Sequence, residues 1–472
     1  MLSAMMRPFT ILLFGQAFSV FGSVLTGFSL AVWAYQESGN SAMVYAAIAV
    51  ANGLPIFLLG PIAGAAADRW NRKHIILVAQ IAAITMTAAL TLLYYTNILE
   101  VWHIIALVAL NSVFTAFVLP TLSATVPLMV PKGFLTRANG SIALAFGIIE
   151  LVSPLISGAL YQQFGLMLIF TIDIVTFAIG IAVIAITRIP QPPKDTEAGH
   201  DLAHESFFQS IAHGFRYLAD TRPMLELIIF FCIVAGCIRA IGLMVQPMVL
   251  GFSDPQGLGL VMTIAGSGVL LGSILLIPFR DLHRHMPVIF ITTAIIAVTS
   301  FFTPITTNIY FLAVGGFFLM ACFPMLDTHC RTLFQRKIDP ALLGRIIGAR
   351  NFVLGIFQTS TILLCGVLAD KVFEPAMKEG GSLTAVLGGV YEVGTGRGIA
   401  VLISLLGLAL LAITLFFFSR KNLRLIDDKI EDIEFECQFE AQQEDELPKH
   451  DINLRAEKEH NQLAELHKAA TA

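Results

Sequence analysis

Runs of about twenty apolar residues, broken by short polar segments, recur along most of this 472-residue chain. A helix needs about 20 such residues to cross a bilayer core. Twelve runs meet that length: 9–35, 42–66, 75–95, 102–128, 138–161, 166–187, 224–250, 257–279, 287–305, 308–330, 346–369 and 398–419. Several contain proline (Pro55, Pro120, Pro154, Pro247, Pro324). Membrane helices tolerate proline when neighbours satisfy the freed carbonyls. The first run exceeds a signal-peptide core and shows no small-residue cleavage pattern, so it is read as helix 1.

The loops alternate in charge. Arg69, Arg72 and Lys73 follow run 2, Lys132 and Arg137 follow run 4, and Arg188, Lys194, Arg216 and Arg222 follow run 6. Arg280 and Arg284 follow run 8, Arg331, Arg336, Lys337 and Arg345 flank the end of run 10, and Arg420, Lys421 and Arg424 follow run 12. The opposite loops carry none until the last, which holds Lys371, Lys378 and Arg397. By the positive-inside rule both termini are expected in the cytoplasm.

The pattern divides the chain into residues 1–187 (six runs), a connection at 188–222, residues 223–419 (six runs) and a tail at 420–472. The connection opens on Pro190, Pro192 and Pro193, and then places Phe207, Phe208, Ile211, Phe215 and Leu218 at helical spacing. An interfacial amphipathic helix is expected there. The halves repeat at a fixed offset of 208: Gly60 with Gly268, Gly64 with Gly272, Arg72 with Arg280, Leu135 with Leu343, Arg137 with Arg345, Gly140 with Gly348, Gly147 with Gly355 and Gly158 with Gly366. Duplicated halves in a membrane protein point to a transporter that rocks about a central site.

Composition agrees. The chain is 56% apolar and 13% charged, against about 25% charged in soluble domains. The tail holds 22 of the 62 charged side chains and is acidic, so the body is poorer still. A soluble enzyme, a secreted disulfide scaffold and a nucleic-acid binder are excluded. The six cysteines (232, 237, 322, 330, 365, 437) form no CxxC pair and are read as packing residues. The tail reads as a solvated segment of unknown partner, beginning with a helical stripe at Ile426, Ile430 and Ile433.

The sharpest motif runs from Gly60 to Lys73: Gly-Pro-Ile-Ala-Gly-Ala-Ala-Ala-Asp-Arg-Trp-Asn-Arg-Lys. Gly64, Asp68, Arg69, Arg72 and Lys73 stand where G-x-x-x-D-R-x-x-R-[KR] requires them. This segment resembles the loop 2–3 signature of the major facilitator superfamily, and with the twelve runs the resemblance covers about 9–419. Gln16, the Ser41-Ala42-Met43 opening of helix 2 and Gly-Phe-Arg-Tyr-Leu at 214–218 are similar to drug exporters of the macrolide-efflux type. Physically, Gly64 lets helices approach, and Asp68 at a helix end would be stabilised by a facing helix N-terminus. The resemblance implies that helix 11 supplies it. Arg69, Arg72 and Lys73 would pair with carboxylates or lipid phosphates. The set is expected to gate the cytoplasmic side, or to act through its positive charges as a topology anchor. The second copy has Leu276 in place of Asp68, so the latch is expected to be one-sided.

Helix 5 carries Gly147, Glu150, Ser153, Pro154, Ser157 and Gly158. It resembles a degraded exporter helix 5 motif and implies a tight contact with the other half. Glu150 sits near mid-membrane, where a carboxylate costs at least about 2.5 kcal/mol. It must be protonated, paired or open to water. It is a proton-coupling candidate, or else a hydrogen-bonded link between helices 5 and 8. Arg239 in helix 7 needs an anion, with Glu150 the first candidate, Asp173 of helix 6 the second and an anionic substrate a third; a purely structural pair is the alternative. Asp327 and Arg331 should form a local ion pair.

No G-x-x-x-x-G-K-[ST], H-E-x-x-H or zinc spacing occurs, so neither ATP-driven pumping nor enzymatic activity is expected, and no cofactor. The reading is an all-α integral membrane protein of two pseudo-symmetric six-helix bundles in the cell membrane, monomeric. By resemblance it exports amphipathic small molecules by proton antiport, with small-molecule substrate, protons and the lipid bilayer as its partners. A siderophore, natural-product or lipid transporter of the same fold, and a scaffold acting through the tail, are the alternatives.

Overall fold

The computed structural model describes residues 2–130, 134–187, 189, 222–276, 284–337 and 340–429. At 2–7, 61, 64–65, 67–69, 127, 136, 222, 335, 340–345, 347–349 and 428–429 the description is of the backbone alone. The expected amphipathic helix at 207–218, most of the tail and Cys437 lie outside the described residues.

The secondary structure of the described residues is helical, without strands. The elements are α1 (Leu2–Glu37), α2 (Ala42–Arg69), α3 (Arg72–Tyr95), α4 (Val101–Thr115), α5 (Val118–Met129), α6 (Leu135–Ile186), α7 (Arg222–Leu250), α8 (Pro255–Leu275), α9 (Met286–Phe302), α10 (Ile309–Lys337), α11 (Pro340–Leu368) and α12 (Arg397–Ser419). Eleven stretches of the described residues are long and apolar enough to span a membrane, one of them 50 residues long. That one lies in α6, which is two crossings joined at Gly165, whose backbone (φ 69°, ψ −169°) is non-helical and open in practice to glycine alone. Packing on α1 shows the reversal. Phe146 shares a cavity with Phe9 and Gln16 on the way up, and Val183 lies against Gly15 on the way back.

The fourth crossing, expected as one helix, is α4 followed by α5. Pro120 lacks an N–H, and its ring crowds the carbonyl of residue 116, where the break falls. Starts are set by side-chain caps: Ser41 accepts from Val44 N, Asn71 from Lys73 N, and Asp254 from Gly257 N at 2.6 Å. Large apolar side chains such as Phe14, Leu92, Leu364 and Leu415 point outward, as suits a hydrocarbon solvent. The five described cysteines are buried and free.

The bundles α1–α6 and α7–α12 meet chiefly through α6 on α8 and α2 on α11. Both seams depend on missing side chains. A Cβ on Gly158 would stand 2.3 Å from Pro255 O, and one on Gly366 would stand 2.9 Å from the Ala46 Cβ. These two glycines are counterparts at the 208-residue offset. The stretch after α11, expected as a loop, is ordered by a π-helical turn at Ala369–Phe373 and short helices at Glu374–Met377 and Thr384–Tyr391. Buried Glu374 accepts from Gly396 N at 3.1 Å and Ile399 N at 3.0 Å. Arg397 donates to the carbonyls of Tyr391, Pro304 and Ile305.

Candidate functional site

The end of the molecule that carries residues 38–41, 165, 251–254 and 370–396 is called distal; the opposite end is called proximal. The bundles are tied together distally by polar contacts. Asp370, just past α11, takes a hydrogen bond from Ser41 Oγ and accepts from Ala42 N at 2.8 Å and Met43 N at 3.1 Å. An anion thus sits on the N-terminus of α2, where free N–H groups and the helix dipole favour it. The pseudo-symmetric contact reverses the roles. Gln162, the counterpart of Asp370 at offset 208, donates at 3.1 Å to Asp254, the N-cap of α8. Between them Tyr35 donates to Pro247 O at 3.0 Å, and Tyr45 donates to Gln246 Oε1. Deeper along the α6–α8 contact, Thr263 donates to Leu151 O at 3.0 Å.

Proximal to this closure the seam holds unpaired charge. On α7, Arg239 and Leu243 continue the face of Gln246 and so point toward the first bundle. On α6, Glu150 lies between the Ser153–Ser157 face, buried on α1, and the Leu151–Pro154–Gly158 face, packed on α8. Both Glu150 and Arg239 are exposed, and no ion pair joins them to each other or to another described residue. The expected Glu150–Arg239 pair is therefore not formed here, nor is Glu150 the link to α8, a task done by Thr263. A cavity of 360 Å³ opens among α1, α5 and α6, lined by Phe9, Gln16, Ser123, Asn139, Ile142 and Phe146, among others. Asn139, Ile142 and Phe146 lead along α6 at helical spacing to Glu150.

Asp173 is the second embedded carboxylate and is 1% exposed. Among the described residues it meets no arginine. Its Oδ2 accepts from Thr87 Oγ1 of α3 at 2.8 Å. Its Oδ1 lies against Gly22 of α1, where a Cβ would stand 2.7 Å away. Asp173 Oδ1 and Thr26 Oγ1 are both buried without a hydrogen-bond partner. Thr26 stands one turn along α1 from Gly22, on the helix face turned to the carboxylate. A polar stripe of α1 continues from there. Ser19 Oγ donates to Gln80 Oε1 at 3.0 Å, and Gln80 Nε2 approaches Gln16 Oε1 at 3.5 Å.

In the loop 2–3 signature, the side chains of Asp68 and Arg69, and the surroundings of Gly64, lie outside the described residues. Arg72 is buried and donates to Ala124 O at 2.8 Å, and Lys73 Nζ donates to Ala185 O at 2.6 Å and Thr187 O at 3.2 Å. Lys73 thus caps the last carbonyls of α6, a use of charge at a helix C-terminus, while Arg72 reaches a carbonyl inside α5. In the helix 5 motif, Gly158 and Pro154 form the seam with α8 as expected. Gly147 has no atom of another element within 4 Å of where its Cβ would be, so it makes no tight contact. Ser157 bonds Ser29 Oγ at 2.7 Å and Leu25 O at 2.8 Å inside the first bundle. The Asp327–Arg331 pair is present at 2.6 Å.

The distal groups were missed by sequence reasoning. Asp370 has no motif, although its offset from Gln162 and the Asp254-Pro255 capping signature mark the place. Also missed was a buried histidine pair, His285 Nδ1 and His329 Nδ1 at 2.9 Å, with Arg336 on the far side of His285. Among the described residues, no group of three His, Cys, Asp or Glu side chains is placed to hold a metal ion.

Comparison with known proteins places this geometry. Residues 12–361 match the profile of the Major Facilitator Superfamily. The chain is 25% identical over 369 residues to macrolide efflux protein A of Streptococcus pyogenes, covering 76% of this chain and 88% of that one. Among solved structures it is similar to a point mutant of the nucleoside transporter NupG, with TM-score 0.66, 14% identity and coverage of 88% and 100%. It is also similar to a bacterial homolog of the human lysosomal transporter Spinster in an inward-facing, unoccupied conformation, with TM-score 0.62, 16% identity and coverage of 89% and 98%.

Proposed function

As the chain belongs to the Major Facilitator Superfamily, we propose that this multi-pass membrane transporter exports amphipathic, macrolide-like small molecules in exchange for protons. The observation that carries the reading is the asymmetry of the seam among the described residues: bonded at its distal end, with unpaired charges and a cavity proximal to it. We take the distal end as the outside, in keeping with the basic proximal loops. The state described is then closed outward, and a substrate enters from the cytoplasm or inner leaflet of the cell membrane. Phe9 and Phe146 offer apolar contact, and Gln16, Ser123 and Asn139 offer hydrogen bonds, a mixture suited to an amphipath. Similarity to an efflux protein supports the outward direction of transport. The monomer suffices, since both bundles are in one chain.

In this scheme Glu150 and Arg239 are charges of the pathway, free to meet water or substrate. The proton is carried by an embedded carboxylate, Glu150 or Asp173. Asp68, Arg69 and Gly64 would close the cytoplasmic side in the opposite state, with Arg72 and Lys73 holding the first bundle together beside them.

The test is transport in liposomes holding the purified chain, with labelled erythromycin as probe. A pH gradient should drive its accumulation against its own gradient, and a protonophore should abolish it. No gradient-dependent flux of erythromycin, or of a panel of amphipathic dyes, would overturn the reading.

A further inference from the structure

We propose that Asp173, Thr26 and Thr87 form a proton-binding site inside the first bundle, separate from the cavity that takes the substrate. The inference rests on the exporter reading for what the proton drives; the site itself rests on geometry.

The carboxylate is enclosed by three helices. From α1 it faces Gly22 and Thr26, from α3 Thr87, and on its own helix Thr176, whose hydroxyl is turned back to Asp173 O at 2.9 Å. Ser19 and Gln80 lie farther along the same interface. The neighbours given by these contacts are glycine, hydroxyl and amide side chains, none of them charged. Glu374, the other carboxylate buried as a whole among the described residues, is treated differently: it has two backbone donors. Asp173 has one hydroxyl donor, and its other oxygen has none. A proton on Oδ1 repairs two defects together. The acid O–H donates to Thr26 Oγ1, so both unpartnered oxygens are satisfied, and Oδ2 goes on accepting from Thr87.

Loss of the proton reverses one bond. The ionised carboxylate needs Thr26 to turn and donate, and it brings an unpaired charge into the packing of α1, α3 and α6. These helices must then shift or admit water. Because α1 also carries Phe9 and Gln16 in the cavity and Tyr35 in the distal closure, the proton acts on substrate and closure through helix position. It need not compete with substrate for one carboxylate. The stripe Gln16, Ser19, Ser23 and Thr26, with Gln80 and Thr87 opposite, joins the cavity to Asp173 by polar side chains. It gives the proton a route with no ionisable stop on it.

The first measurement needs no substrate. Infrared spectra of the purified full chain at neutral pH should show a buried carboxylic-acid C=O band that is absent in Asp173→Asn and shifted in Thr26→Val, which removes its hydrogen-bond partner. An unchanged band in Asp173→Asn would overturn the assignment. The second uses liposomes with erythromycin as probe. Asp173→Asn keeps the acceptor for Thr87, so erythromycin exchange at equal pH should persist while accumulation driven by a pH gradient is lost. Thr26→Val should retain accumulation, with its pH dependence displaced. If Asp173→Asn still accumulates erythromycin under a pH gradient, the site is refuted while the exporter reading stands. If the unaltered chain is driven by sodium and not by pH, the ion assignment is refuted. If it is driven by neither, both readings fail.

Discussion

Replacing Asp370 by alanine tests whether the distal contacts hold the bundles together. Asp370 takes hydrogen bonds from Ser41 Oγ, Ala42 N and Met43 N across the seam. Losing an N-terminal acceptor costs about 1 kcal/mol, and losing a negative charge at a partly buried helix N-terminus costs up to about 2 kcal/mol. The group is partly exposed, so solvent screening places the total at about 1–3 kcal/mol, and it falls on one state only, because a distally open molecule separates the partners. The ratio of open to closed should therefore rise by about 5–150-fold. Asp370→Asn keeps an acceptor and loses the charge, so it should lie between alanine and the native chain. Nitroxides at Thr96 and Lys378, exposed on the two bundles, report the separation by pulsed electron resonance. The native distribution should be dominated by one short distance, and the alanine variant should add a longer one. Superimposable distributions in a variant that elutes and melts normally would refute the argument.

Three further outcomes follow from other contacts. Gly158→Val places a side chain where even a Cβ would be 2.3 Å from a backbone oxygen, so the α6–α8 seam should fail to close, abolishing transport while the protein still inserts; retained turnover would contradict the close approach. Ser157→Ala removes two buried hydrogen bonds and should lower stability by about 1–3 kcal/mol, read as a fall in melting temperature in detergent. Glu150→Gln removes an unpaired charge from the pathway without breaking a bond, so stability should be unchanged while preference between cationic and neutral probes changes, read by competition against labelled erythromycin.

The crossings were legible because hydrocarbon thickness imposes a length, and residues 9–35 or 398–419 meet it without reference to any neighbour. Depth is a different matter from distance. Glu150 and Arg239 both lie near mid-membrane along their helices, and this suggested a pair. Whether they touch depends on the separation of two bundles, which no single helix encodes. The small residues of helix 5 posed a similar problem. Gly147 and Gly158 read alike in sequence, but only the second lies at the level where α6 crosses α8. Pro120 was read as tolerable within one helix; its missing N–H instead divides the fourth crossing. Asp370 escaped notice because its partner is a helix end, and backbone N–H groups carry no side-chain signature. Asp173 was singled out as an ion in hydrocarbon, while the hydroxyls that surround it come from three helices far apart in sequence.

Gly165 gives the molecule a mechanical property. The fifth and sixth crossings meet at a single non-helical residue, so the hairpin has no slack to absorb sliding. A tug on the fifth crossing at its junction with the second bundle must be passed within one peptide unit to the sixth. The sixth carries Asp173 about two turns below that point. The fold thus contains a short rigid crank between the seam and the buried acid, and lengthening its elbow by a few flexible residues would disconnect the two while leaving each intact.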